Sequence, residues 1–256
     1  MENKQPQFPA EEVTLPSKGL LYSEDSPLRS GKIEMKYMTA KEEDILTNQN
    51  FIKNGVVIDK LLQSLIITPN VDFKDLLLGD KNAIMLAARI LGYGATYEVK
   101  RTHPETGVES EGIIDLSKIE DKLIDESIII NNKNEFEFTL PTSNIKITFK
   151  LLTQGDDKKI EREIEGLKKL NKQSSDGITR LKHIILSING DYDVKAIRDF
   201  IDNNLLARDA RALRQYITSI QPGIDMSTEV EFKDGYVETG VTLPINVNFF
   251  WPDAEL

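Results

Sequence analysis

Two histidines are the only side chains of this sequence that titrate near neutrality without help from their surroundings, and there is no cysteine. Composition therefore excludes disulfides, thiolate metal sites and cysteine nucleophiles. His103 stands in "RTHPETG", between the strand-like stretches "ATYEVK" and "VESEG". A structural zinc site needs four nitrogen or sulfur ligands, and this imidazole has only Glu105 and Glu109 nearby. The stretch reads better as a Pro-Glu-Thr-Gly turn that closes a hairpin. His183 lies beside an apolar stripe in "RLKHIILS", with no nucleophile or orienting acid at a readable spacing.

Carboxylates are abundant, and most read as solvated faces or helix-start charges, as in "EEDIL" and "EREIE". "NGDYDVKAIRDF" lacks the alternating oxygen ligands of a calcium loop. "LGYGA" follows a helix and lacks the lysine and hydroxyl of a phosphate-binding loop. No catalytic residue, metal ligand set or cofactor is assigned. A hydrolase or transferase working through carboxylates and lysines stays open, with "GDDKK" and "NGDYD" as its suggestive stretches.

Two features point outward. Arg208, Arg211 and Arg214 in "LLARDARALRQYI" form a slowly drifting row on one helical face, with Asp209 beside it. The row is either a solvated or internally paired face, or a partner-binding one, since arginine suits bidentate interface pairs. A nucleic-acid adaptor using the same arginines is a third class of function, with steeply salt-dependent binding. The end "NVNFFWP" reads as a strand in which Phe249 and Trp251 enter the core and Phe250 faces out, either as a contact or covered by another element of the same chain.

The elements that position these residues alternate between helix and strand. Residues 1–38, punctuated by Pro6, Pro9, Pro16 and Pro27, read as an extended arm: a surface strand with a loose tail, or a segment that docks on a partner. Residues 39–95 form a helical block opened by the capping-box pattern of Thr39 and Glu42, and Asp80 is placed to cap its last helix. Residues 96–152 hold a first hairpin and the strand pair "EFEFTLP" and "NIKITFKLL". Residues 153–221 form a second helical block in which "DGITRLKHIILSI" is read as one helix. Residues 222–256 return to strand around "KDGY", a strong hairpin signal. The fold class is α+β, packed as one or two domains. No repeat of 20 to 50 residues is evident, although both hairpins contain Glu-Thr-Gly-Val.

With 42 acidic against 32 basic side chains, the formal charge of −10 disfavours phosphate backbones and anionic membranes. The amino terminus has no secretory pattern and no apolar run is long enough to span a bilayer, so the expected setting is the cytoplasm.

"LPSKGLLY" (15–22), "GKIEMKYMTAKEEDIL" (31–46), "GVVIDKLLQSLI" (55–66), "LLLGDKNAIMLAARILGYGATYEV" (76–99), "FEFTLPTSNIKITFKLLT" (136–153), "LLARDARALRQYI" (205–217) and "LPINVNFFWP" (243–252) occur together in this order. The set resembles the baseplate hub assembly proteins of T-even-type contractile phage tails. Members of that family often carry cysteine knuckles at the two hairpin tips, where this chain has "RTHPETG" and "EFKDGYVETG". The resemblance implies a non-enzymatic protein of the host cytoplasm during assembly, and of the virion baseplate if retained. Its implied partners are other baseplate and tail hub proteins, with no nucleic acid, membrane or small-molecule substrate. The contact residues it suggests are Leu20, Tyr22, Arg208, Arg211, Arg214 and Phe250.

Overall fold

The computed structural model describes residues 9–129, 133–170, 176–243, 245 and 247–250. In chain order these form β1 (Ala10–Thr14), β2 (Lys32–Lys36), α1 (Ala40–Leu46), α2 (Gln49–Lys53), α3 (Val57–Leu65) and α4 (Leu78–Tyr93). Next come β3 (Thr96–Thr102), β4 (Glu109–Asp115), β5 (Asp121–Lys122), β6 (Phe136–Thr139), β7 (Lys146–Phe149), α5 (Gln154–Lys169) and α6 (Asp176–Ile184). The last elements are β8 (Ile185–Ile188), α7 (Val194–Asn203), α8 (Ala207–Ile220), β9 (Gly223–Ile224), β10 (Ser227–Phe232), β11 (Val237–Thr242) and α9 (Val247–Phe250). The α+β class is as expected.

Two halves of the chain repeat one plan. In the first, β1 runs into Leu15-Pro16-Ser17 and pairs with β2, which leads to Lys36. In the second, β6 runs into Leu140-Pro141-Thr142 and pairs with β7, which leads to Lys150. Each second strand is followed by a capping box, Thr39 with Glu42 and Thr153 with Asp156. Each capping acid also takes a lysine at the strand's end, the last residue of β2 or the first after β7: Lys36 Nζ lies 2.8 Å from Glu42 and Lys150 Nζ lies 2.7 Å from Asp156. A helix then returns, α3 or α6, and the chain leaving it pairs antiparallel with the second strand, Ile66 with Met35 and Ile185 with Phe149.

Each half closes on a longer helix, α4 or α8, preceded by an extended leucine, Leu77 or Leu206, without a side-chain cap. The third residue of each is a buried aspartate. Asp80 accepts the Ser17 N–H at 2.9 Å, and Asp209 accepts the Thr142 N–H at 2.7 Å. Both amides belong to the residue after Leu-Pro. The carboxylate therefore fastens the strand-end loop of its own half to the amino terminus of the closing helix, where negative charge is favoured. A hairpin comes after each closing helix, and the two hairpins join through β4 and β10 into one sheet of order β11-β10-β4-β3.

Several expectations are corrected. Asp80 does not cap its helix; it lies inside it, accepting from the Ser17 N–H and hydroxyl and from the Tyr22 hydroxyl. Leu15, Leu21, Tyr22, Leu28, Ile33 and Met35 are core residues, so the described part of the stretch read as an arm is built into the first half. Gly19 and Gly31 have positive φ, and an added Cβ at either would meet the facing backbone, Arg29 O at 2.4 Å and Lys18 C at 2.7 Å respectively. The stretch "DGITRLKHIILSI" is not one helix. Past Ile184 it becomes β8, because the exposed edge of β7 offers backbone pairing to a β-branched run. Residues 247–250 are helical rather than extended. Residue 251 lies outside the described residues, and so does the core placement expected of Trp251.

Candidate contact surface on helix α8

The residues with chemical potential are almost all engaged in holding the fold. His103 is buried at the first hairpin tip, its ring 4.6 Å from that of Phe232 and 4.9 Å from that of Tyr236 in the second hairpin. Its Nδ1 accepts the N–H groups of Glu105 and Thr106, which places the proton of a neutral ring on Nε2. Nε2 is 3.2 Å from an Asp234 carboxylate oxygen, in an orientation that does not complete a hydrogen bond. With Nδ1 occupied, the donor set at the joined tips is one imidazole nitrogen and one exposed carboxylate. These residues do not fit a four-ligand metal site. The tips meet as an aromatic contact.

His183 is bonded to Glu163 at 2.9 Å, and Arg198 approaches the same carboxylate at 3.2 Å, so Glu163 of α5 ties α6 and α7 together. In "GDDKK", Asp156 is the capping acid already described and Asp157 pairs with Arg180 at 3.0 Å. In "NGDYD", Asp191 and Asp193 are exposed, and Asp193 caps α7 through the Ala196 N–H. A largely buried charged cluster joins the halves. Asp59 on α3 receives Lys81 of α4 at 2.9 Å and Lys158 of α5 at 2.7 Å, with the Gln154 amide at 3.1 Å. Burial pushes the Asp59 carboxyl up, and the two lysines outweigh it, leaving the group below its ordinary range.

The suggested contact residues fall into two groups. Tyr22 is buried, its hydroxyl donating to Asp80 at 2.6 Å and accepting the Leu77 N–H at 3.0 Å. Leu20 is half-buried, with its carbonyl bonded to Arg29 at 2.8 Å. Phe250, expected to face out from a strand, is fully buried with Phe249, the two rings 5.3 Å apart, because a helical turn sends both inward. Arg208, Arg211 and Arg214 are the ones at the surface. All three are exposed on α8 and form no ion pair among the described residues.

The opposite side of the helix fixes that face. Ala210, Leu213 and Ile217 are buried, and Tyr216 stacks on Phe138 at 4.8 Å. Asp209 accepts the N–H groups of Thr142 and Ser143 at 2.7 and 3.0 Å. Burial raises this carboxyl, and the hydrogen bonds from Thr142 and Ser143 overcome that and lower it. The aspartate is thus engaged inwardly and forms no ion pair with its neighbouring arginines among the described residues. The row and its period are plain in the sequence; that Asp209 turns away from it depends on a contact 67 residues distant.

No helix among the described residues is long and apolar enough to cross a membrane. Comparison with curated proteins finds no match, and neither does comparison with solved structures. Residues 12–251, nearly the whole chain and both halves with their hairpins, match the family model described as T4 bacteriophage base plate protein. The chain belongs to that T4-type phage baseplate family.

Proposed function

We propose that this protein is a non-enzymatic component of the baseplate hub, an assembly factor or structural subunit that works by contact with other tail proteins. Family membership supports the baseplate setting. The observation that carries the contact reading is the open face of α8. Three arginines stand together without a counter-charge among the described residues, on a chain of net charge −10. Such a row of guanidinium groups on a rigid helix suits recognition of carboxylates on a neighbouring subunit. His183, Asp156, Asp157 and Asp193, the residues singled out for possible chemistry, are bound into caps and helix ties, which supports the same reading. The protein would act in the host cytoplasm while the hub is built.

Infection with a phage in which this coding sequence is interrupted tests the reading. The expected result is particles or tail precursors without completed baseplates, restored when the protein is supplied from a plasmid. Normal baseplates in its absence would contradict it.

A further inference from the structure

The repeated plan sets α4 and α8 in matching roles, so their outer faces can be compared position by position from the shared aspartate. Arg208, Arg211, Arg214, Gln215 and Thr218 of α8 match Gly79, Asn82, Met85, Leu86 and Arg89 of α4. On α4 that face is covered by the chain itself: Gly79, Met85, Leu86 and Arg89 are buried, and β9 and α9 pack on the helix. On α8 the face is open, with Arg208, Arg211, Arg214, Gln215 and Thr218 all exposed. The cover on α4 depends on Gly79, because a Cβ there would sit 1.7 Å from the Pro222 carbonyl oxygen. Arg208 stands in the glycine's place on α8, so a backbone cannot approach as closely, and its guanidinium suits a carboxylate-bearing surface instead.

The chain carries such a surface. Asp115, Glu120, Asp225, Glu229 and Glu231 line a groove of about 400 Å³ on the outer face of the four-stranded sheet, with Lys118 as its one basic lining residue. Ile113 and Val237 line the same groove and are each 45 % exposed, while Leu206, beside the arginines, is 47 % exposed. Both surfaces therefore offer apolar area next to charge, of opposite sign.

We propose that the arginine face of α8 docks onto the acidic sheet groove of a second copy of this chain. The contact joins two different patches, so it either closes reciprocally across a two-fold axis as a dimer or runs head-to-tail into a ring or filament. Charge-complementary contacts of this kind weaken as salt screens them. This proposal names the occupant of the face on which the proposed function relies.

Sedimentation of the purified full chain at low and high salt tests it. The expected result is reversible self-association that salt weakens. R208E/R211E/R214E and, separately, E229K/E231K are each expected to raise the dissociation constant at least about tenfold. Both sets combined in one chain are expected to restore association. K41E/K53E/K60E, an equal charge change elsewhere on the surface, is expected to leave it intact. If the glutamate variant does not fold, as judged by its thermal midpoint, R208A/R211A/R214A carries the same comparison. A wild-type chain that is monomeric throughout overturns the proposal, as does association indifferent to the α8 reversal. A monomer that still binds another tail protein through these arginines overturns the choice of occupant and leaves the proposed function standing.

Discussion

The two closing helices start alike and end in different circumstances. Both α4 and α8 come after an extended leucine and hold a loop through the aspartate at their third position. Yet α4 is buried on nearly every side, including Ala83, Ile84, Met85, Leu86 and Ala88, whereas α8 buries one stripe and exposes its arginines. The difference traces to a few residues. Gly79 admits the Pro222 carbonyl, and Arg89 donates to the Gly94 and Thr96 carbonyls, so later segments of the chain enclose the first helix. The second helix has an arginine where the glycine would be. One structural plan thus yields an internal pillar in one half and a presented surface in the other.

Substitutions at matched positions would break or sharpen that contrast. The largest effect is expected from Gly79→Ala, which drives a methyl group into a backbone carbonyl and should cost about 4 kcal/mol or prevent folding. Arg208→Ala at the matching position should leave the denaturation midpoint unchanged. Equal sensitivity of the two sites in urea unfolding would remove the distinction between enclosed and open helices. Next is Asp80→Ala, which strands the Ser17 amide and hydroxyl and the Tyr22 hydroxyl in the core; about 3 kcal/mol is expected. Asp209→Ala should destabilise less, because the Thr142 and Ser143 amides it frees lie closer to solvent.

The capping acids give a pH signature. Burial pushes the Glu42 carboxyl up, but hydrogen bonds from Lys36, Thr39 and Ser64 prevail and hold it at about 2, against an ordinary 4.5. Its folded value is depressed, so its contribution is fully present above pH 4.5 and is lost as the pH falls towards 2. Glu42→Gln should therefore cost about 3 kcal/mol at neutral pH, with the difference from wild type closing through that window. Asp156 is lowered in the same sense: burial opposes, and Lys150 and Thr153 win. Asp80 runs the other way. Burial raises it despite Ser17 and Tyr22, so its contribution favours the folded state at lower pH and is lost as pH rises through its folded value. A smaller effect, about 1–2 kcal/mol, is expected for Tyr22→Phe, which removes one donor to Asp80 and one acceptor for the Leu77 N–H. Thermal or chemical melts of these variants from pH 2 to neutrality would check the whole set.

Local chemistry is legible in the sequence, and distant chemistry is not. The Thr39–Glu42 capping box, the Asp234–Gly235 turn and the β6–β7 pair depend on spacings of a few residues, and each forms where expected. The link from Ser17 and Tyr22 to Asp80 spans 63 and 58 residues, and no local pattern announces it. The strand β8 hides in an apolar run that suits helix and strand equally, and the edge of β7 decides between them. The shared plan leaves no readable sequence repeat because its markers are scattered and its spacers unequal. A long loop separates Ser17 from Gly31, where the second half makes a tight turn at Asn144, and α7 occupies the place of a short turn at Phe73–Asp75. The arginine row is visible as a period, but its openness has meaning only beside α4, where the same face is covered.

The most direct measurement is co-expression of this chain with the other baseplate proteins of its phage, then size-exclusion chromatography with light scattering. A function through contact predicts a stable complex containing this chain, diminished by R208E/R211E/R214E without loss of its own fold. A chain that elutes free beside every one of those proteins would contradict it.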